Sequence, residues 1–141
     1  MKLKPQVVFD TNIYISAIIF GGNPRTCLDL ARDGKIKLIT TRNILYELSQ
    51  KLIFKFAWED KDVIEVIEGL SKFTHIIKPK SKVSIVKKDH SDNIILECAK
   101  EAKTDFIVSG DTKHILPIKK FGKSIILSAK NFLNAYYKNS R

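Results

Sequence analysis

Apolar residues recur along the chain in two patterns that alternate with each other. Short runs rich in Val, Ile and Phe are typical of buried strands, whereas apolar residues spaced three and four positions apart indicate helices that pack one face on a core. The short runs predict strands over residues 5–9, 35–39, part of 75–86, 106–109 and 124–127. The helical spacing predicts helices over residues 13–20, 26–32, 42–56, 60–73, 91–102 and 129–137.

Capping and turn residues support these boundaries. Thr40 and Thr41 directly precede the third helix, where a hydroxyl can accept a hydrogen bond from a backbone N–H. Gly34 follows the second helix as a C-terminal capping glycine does, and residues 21–24 (Gly-Gly-Asn-Pro) predict a turn before that helix. Because strands alternate with helices, we expect parallel strand pairing in an α/β sandwich.

The size of the chain fits a single domain. Its 141 residues can bury a core without disulfides, and no repeat or low-complexity run divides them. Cys27 and Cys98 lie far apart without Cys/His metal spacing, so we expect both to be reduced thiols. The longest apolar run, residues 15–20, is too short to span a membrane, so we expect a soluble, cytoplasmic protein.

The chain is strongly basic, and its acids are unevenly placed. It has 25 Lys and Arg against 15 Asp and Glu, a formal net charge of +10, which favours binding to phosphate backbones, anionic membranes or acidic proteins. No acid occurs between Glu68 and Asp89, and none follows Asp111. The lysines of the first of these segments form either a solvated edge or a nucleic-acid contact surface: Lys72, Lys78, Lys80, Lys82, Lys87 and Lys88.

Three acids lie where parallel strands would bring them to one edge of the sheet. Asp10 directly follows the first strand, Asp111 follows the fourth, and Asp92 lies in the first turn of a helix after an extended segment. Ligand sites of open parallel sheets form at the carboxyl edge of the strands. Glu47 lies beside the apolar stripe of the third helix, so it could face the same edge or solvent.

Each acid also has a purely structural interpretation. Asp10 and Asp92 could each cap the N-terminus of a helix. Asp111 could be a turn residue after Gly110, and Glu47 could belong to a solvated helix face. The case for a site therefore rests on the acids taken together.

A shared divalent cation would account for the acids as a group. Converging carboxylates repel one another unless one takes up a proton or a cation lies between them. Carboxylate oxygens suit Mg²⁺ or Mn²⁺, and no histidine shows the ligand spacing that would select zinc. A basic protein with such a pocket suits phosphodiester hydrolysis, because the ion acidifies a bound water and neutralises charge on the phosphate while the lysines hold the strand.

Four segments, each with a weak signal alone, form a more specific ordered set. They are residues 7–12 (Val-Val-Phe-Asp-Thr-Asn), Glu47, residues 89–93 (Asp-His-Ser-Asp-Asn) and residues 102–111 (Ala-Lys-Thr-Asp-Phe-Ile-Val-Ser-Gly-Asp). In this order, over nearly the whole chain, the sequence resembles PIN-domain ribonucleases, the toxins of prokaryotic toxin–antitoxin pairs. The resemblance implies a single domain over residues 1–141, a three-layer α/β/α sandwich around a central, mainly parallel sheet. It also implies a Mg²⁺- or Mn²⁺-dependent endoribonuclease, commonly a homodimer that a small cognate antitoxin silences.

The resemblance also implies roles for individual residues. Asp10 and Asp92 would be direct metal ligands, and Asp111 a direct or water-mediated one. Glu47 would orient or deprotonate the attacking water. Two polar neighbours would hold the ligands in place through hydrogen bonds. The implied site is Asp10, Glu47, Asp92 and Asp111, supported by Asn12 and Ser109.

The chain departs from the family's pattern in two places. The family often has Asp-Pro-Asp-Asp-Asn where residues 89–93 read Asp-His-Ser-Asp-Asn. A further acid often follows the Gly-Asp pair, where this chain has Thr112, Lys113 and His114. Fewer acids favour one bound ion over two.

Two other functions remain open at this point. A basic nucleic-acid-binding domain without catalysis would use its acids only as helix caps, and its binding would not depend on metal ions. A receiver-like phosphotransfer protein would use Asp10 as a phosphate acceptor and needs a lysine after a late strand, for which Lys113 is a poor candidate. Metal-dependent RNA cleavage would separate the nuclease from the first, and a stable aspartyl phosphate would indicate the second.

Overall fold

The computed structural model describes residues 4–80 and 90–139. Within them, strands and helices alternate as the apolar pattern predicts. The strands are β1 (Gln6–Phe9), β2 (Lys37–Thr41), β3 (Thr74–Ile77), β4 (Phe106–Val108), β5 (Lys120–Phe121) and β6 (Ser124–Leu127). The α-helices are α1 (Thr11–Ile15), α2 (Gly22–Arg32), α3 (Arg42–Phe54), α4 (Asp60–Ser71), α5 (His90–Ala102) and α6 (Ala129–Asn139).

The strands form one sheet in the order β3-β2-β1-β4-β6-β5, and every pair in it is parallel except β5 with β6. Three consecutive residues of the central strand β1, Val7, Val8 and Phe9, are fully buried. Because successive side chains of a strand point to opposite faces, both faces of the sheet must be covered by helices. The fold is therefore the three-layer α/β/α sandwich that the resemblance implies.

The helices bury the stripes that their spacing predicts. On α3 the residues Ile44, Leu45, Leu48 and Leu52 all face the core. Thr41 caps this helix, since its Oγ1 accepts the backbone N–H of Ile44 at 3.2 Å. None of the described helices is both long and apolar enough to cross a membrane.

The start of the second helix differs from the prediction. α2 begins at Gly22, inside the segment predicted as a turn. The chain reverses at Gly21 and Gly22, whose φ values of 83° and 66° suit residues without a Cβ. Pro24 lies in the first turn of α2. Backbone N–H groups in the first turn have no acceptor within the helix, so a proline there costs no hydrogen bond.

Other boundaries differ by a few residues. The first predicted helix, residues 13–20, begins as α1 and continues as a π-helical segment, Ser16–Phe20. β2 starts at Lys37 rather than at Lys35, because the Lys35 N–H still donates to Leu30 O at 2.8 Å in the turn that ends α2. The strand β5 was not predicted, since two residues carry no periodic signal.

Candidate metal and catalytic site

The candidate site lies where the order of the sheet reverses. From β1 the chain builds outward through β2 and β3, and then returns to the other side of β1 with β4. In an open parallel sheet such a reversal leaves a crevice outside the carboxyl ends of the two strands. Phe9 pairs with Val108 at these ends, so Asp10 and Ser109 follow side by side. The Asp10 N–H donates to Val108 O at 2.9 Å.

Ser109 links two of the predicted acids. Its fully buried hydroxyl donates to Asp10 Oδ2 at 2.8 Å and accepts the backbone N–H of Asp111 at 3.0 Å. One hydroxyl can do both, because it has one donor and two acceptor lone pairs. The Asp10 carboxylate is thereby held against the loop that carries Asp111.

The loop after β4 orients the Asp111 carboxylate. Asp111 Oδ1 accepts hydrogen bonds from the backbone N–H groups of His114 and Lys113, both at 2.9 Å. Partial burial raises the pKa of Asp111, but these two N–H groups and the His114 ring outweigh it, so the pKa lies below its usual value. The other oxygen, Oδ2, faces His114 Nδ1 at 3.4 Å. A role as a turn residue therefore accounts for Asp111 Oδ1, which binds the backbone, but not for Oδ2, which faces the His114 ring.

Asp92 meets the same loop from α5. It lies in the first turn of this helix and is buried, with 4% of its surface exposed. Asp92 Oδ2 lies 3.5 Å from His114 Nδ1, and the potential ligand atoms of Asp92, Asp111 and His114 all lie within 4.8 Å of one another. The fold thus brings α5 and the loop after β4 together.

Burial makes the Asp10 carboxyl costly to ionise. It precedes the first residue of α1 and has 5% of its surface exposed. Burial raises the pKa of Asp10, while the Ser109 hydroxyl, the Lys51 charge and the Asn12 N–H act in the opposite direction and Asp111 adds to the rise. A cation placed beside the carboxylate would offset the cost of burying its charge.

Glu47 is joined to the site through Lys51, which follows it by one turn of α3. Lys51 Nζ lies 3.3 Å from Glu47 Oε1 and donates to Asn12 Oδ1 at 3.2 Å. The Glu47 side chain is only 17% exposed, so the interpretation as a solvated helix face is wrong. Asn12, which the resemblance implies to hold the ligands, contacts Lys51 through its side chain.

The donor set fits a hard divalent cation. Asp92 and Asp111 lie in one group of potential ligands with His114, and Ser109 ties the Asp10 carboxylate to the same loop. Carboxylates gathered in this way repel one another unless a cation lies between them. Carboxylate oxygens are the ligands that Mg²⁺ and Mn²⁺ accept, and one imidazole nitrogen is compatible with Mn²⁺. The residues present therefore fit such an ion.

The predicted nucleic-acid-binding lysines do not share one surface. Lys72 precedes β3, so it lies at the amino edge of the sheet, opposite the acids. Lys78 and Lys80 follow β3 at the carboxyl edge, where they line a groove of about 610 Å³ together with Arg42. The other three lie outside the described residues: Lys82, Lys87 and Lys88.

Three basic residues near the acids were not assigned to the site from the sequence. His114 lies three residues after Asp111, and Lys51 lies four residues after Glu47 on a helix. The second spacing is a signal that could have been used, because residues four apart are neighbours on a helix surface. Arg42 had no such signal, since its groove forms only when β3 packs beside β2.

Comparison with known proteins relates the chain to a described family. A family model described as a PIN domain matches residues 6–113. An uncharacterized protein of Methanocaldococcus jannaschii is 32% identical over 115 residues, which cover 78% of this chain and 73% of the relative. The range matched by the family model contains all four acids of the candidate site and ends one residue before His114.

Proposed function

Because the chain belongs to the PIN-domain family, we propose that it is an endoribonuclease that hydrolyses phosphodiester bonds in RNA. PIN domains have a nuclease fold, and their nuclease activity often depends on a metal ion. The observation that carries this proposal is the meeting of acids at the reversal of the sheet order. Asp10 is tied through Ser109 to Asp111, which meets Asp92, although about 100 residues of chain separate Asp10 from Ser109.

We assign Asp10, Asp92 and Asp111 to the binding of one Mg²⁺ or Mn²⁺ ion. When bound, such an ion acidifies a water and neutralises negative charge on the phosphate. Asp92 and Asp111 both turn their Oδ2 atoms toward His114 Nδ1, and Ser109 ties Asp10 Oδ2 to the loop that carries Asp111. The small number of acids supports one ion rather than two.

We assign Glu47 to orienting the attacking water and accepting its proton. A proton acceptor must lie within hydrogen-bonding distance of the water and keep its position. The contact between Lys51 and Glu47 Oε1 at 3.3 Å restricts the carboxylate, which supports this role. Lys51 also brings a positive charge to the edge at which a phosphate would bind.

The basic groove supports a nucleic-acid substrate. Arg42, Lys78 and Lys80 line it at the carboxyl ends of β2 and β3, together with one acid, Glu97. β3 lies two strands away from β1, which corresponds to roughly 10 Å at normal strand spacing. A strand with one phosphate beside Asp10 could therefore lay a neighbouring phosphate over the groove. This arrangement explains how a site of carboxylates can hold a polyanion.

Removal of the groove cations should weaken RNA binding. Combining Arg42→Ala with Lys78→Ala removes two phosphate contacts, so we expect about tenfold weaker binding and a salt slope shallower by roughly 1.4. Fluorescence anisotropy with labelled single-stranded RNA measures both quantities. Lys72→Ala is the matched control at the opposite edge, and it should leave the affinity unchanged. Equal losses from Lys72→Ala and Lys78→Ala would show that only the net charge matters.

We further propose that the protein is the toxin of a toxin–antitoxin pair, a cytoplasmic homodimer that a small cognate antitoxin inhibits. The family resemblance supports this role. The free, buried thiols of Cys27 and Cys98 fit a reducing compartment. A short open reading frame directly upstream, encoding a small DNA-binding protein, would give the candidate antitoxin. Co-purification of the two proteins and loss of cleavage in their complex would then test the pair.

The cleavage activity is tested directly with purified protein and defined RNA. We expect RNA to be cut when Mn²⁺ or Mg²⁺ is added and to stay intact with a chelator, because the acids alone repel the phosphate. RNA binding that ignores the metal, without cleavage, would favour the non-catalytic binding domain. A stable phosphate on Asp10 after treatment with acetyl phosphate would favour the receiver-like alternative.

A further inference from the structure

The acids of the candidate site contact one side chain that is not an acid, that of His114. This residue also lies just beyond residues 6–113, which the family model matches. His114 lies in the loop after β4, and its Nδ1 is 3.5 Å from Asp92 Oδ2 and 3.4 Å from Asp111 Oδ2. Building on the proposed metal site, we infer that His114 binds the ion directly through Nδ1. We also infer that this nitrogen makes the site prefer Mn²⁺ and related transition-metal ions over Mg²⁺.

The distances within the triad fit ligands of one ion. Around an octahedral ion with bonds of about 2.1 Å, adjacent ligand atoms lie about 3.0 Å apart and opposite ones about 4.2 Å apart. The separations of 3.4 and 3.5 Å from His114 Nδ1 lie between these values, and the largest distance in the triad is within 4.8 Å. Shifts of about 0.5 Å would therefore bring all three atoms onto one ion.

The loop geometry fixes the backbone that carries the His114 ring, and the side chain itself is 46% exposed. The backbone N–H of His114 donates to Asp111 Oδ1 at 2.9 Å, so the same residue orients the carboxylate and carries the ring. The Lys113 N–H donates to the same oxygen, also at 2.9 Å. With Oδ1 engaged by the backbone, Asp111 presents Oδ2 to the ring. Two ligands of the triad thus come from one four-residue turn, and Asp92 supplies the third from α5.

The choice of nitrogen as a donor has a consequence for the metal. Mg²⁺ takes almost only oxygen ligands, whereas Mn²⁺ and later first-row ions also accept imidazole. The chain has His114 in a segment where PIN domains often have another acid, which exchanges a charged oxygen donor for a neutral nitrogen donor. The alternative is a protonated His114 that pairs with Asp92 and Asp111 and binds no ion.

Pulsed EPR of Mn²⁺ bound to the protein, without RNA, separates these two arrangements. We expect the wild type to show the coupling of a directly bound ¹⁴N, and His114→Gln to lose it. The variant should bind Mn²⁺ about 10–100-fold more weakly, while its affinity for Mg²⁺, measured by competition, changes much less. His75→Gln, at an exposed residue of β3, is the control and should keep both the coupling and the affinity.

The possible failures are distinguishable from one another. Tight Mn²⁺ binding without nitrogen coupling, or coupling that persists in His114→Gln, would overturn the role of His114 and leave the metal site intact. Stronger Mn²⁺ binding by His114→Gln would show that the ring acts as a competing cation. Failure of the wild type to bind Mn²⁺ at all would overturn both this inference and the proposed metal site. Circular dichroism of each variant checks that the fold is retained.

Discussion

Asp10→Asn should lower the rate of RNA cleavage by at least about 10³-fold, since a bound metal ion contributes several kcal/mol to stabilising the transition state. Asn keeps the size of the side chain and an oxygen that can accept the Ser109 hydroxyl, but it removes the negative charge that would bind the cation. The loss is measured as the initial rate of cleavage of a labelled RNA at saturating Mn²⁺.

The same substitution should leave the metal-free protein as stable as the wild type, or more stable by about 1 kcal/mol. Burial raises the pKa of Asp10, so the folded state binds the proton more tightly than the unfolded state does. The metal-free protein therefore loses stability as the pH rises through the interval between the two pKa values, and at neutral pH it bears the cost of a buried charge. Asn has no charge to bury, so this loss is absent from the variant.

Asp33→Asn is the matched control for both measurements. Asp33 is exposed at the end of α2, where it pairs with Arg32, and it lies near the amino end of β2, at the edge opposite the site. The control should cleave RNA as the wild type does, and its stability should change little because exposed ion pairs contribute little. Cleavage by Asp10→Asn at the wild-type rate would show that the acids of the crevice do not form the catalytic site.

Addition of Mn²⁺ should raise the melting temperature of the wild-type protein by about 5–10 °C. A ligand present at 100 times its dissociation constant stabilises the folded state by about 2.7 kcal/mol, and each kcal/mol corresponds to roughly 2–4 °C in a chain of this size. The ion also removes the repulsion among Asp10, Asp92 and Asp111. Differential scanning fluorimetry with and without a chelator measures the shift.

The cost of the buried Asp10 charge and the stabilisation by Mn²⁺ together predict that the wild type and Asp10→Asn exchange their order of melting temperature when Mn²⁺ is added. Without metal, Asp10→Asn should melt at the same temperature as the wild type or above it. With Mn²⁺, the wild type should melt several degrees above the variant, because the variant lacks a ligand. An equal shift in both proteins would show that Mn²⁺ binds elsewhere, and no shift in the wild type would contradict the metal site.

Much of the fold could be predicted from the sequence because burial imposes regular spacing. β1 is apolar at every buried position, and the stripe on α3 follows the period of the helix, so both elements have strong local signals. The start of α2 and the strand β5 were missed for the opposite reason. The start of α2 depends on positive φ values at Gly21 and Gly22, and β5 exists only because β6 pairs with it.

The candidate site was predictable where the topology determines positions. Asp10 and Asp111 follow neighbouring parallel strands, so strand order alone brings them to one edge. The sequence analysis did not distinguish Lys72 from Lys78, although they lie six positions apart, before and after β3, and therefore at opposite edges of the sheet. A run of like charges does not by itself indicate at which end of a strand each charge lies.

By itself, the sequence determined the α/β alternation and the parallel sheet, and it predicted the four acids of the candidate site. These follow from local periodicity and from position relative to strand ends. Only the tertiary structure decided that His114 faces two carboxylates, that Lys51 lies between Glu47 and Asn12, and that Arg42 shares a groove with Lys78. Such contacts depend on the packing of elements distant in the chain and on the direction of each side chain, which neither spacing nor composition encodes.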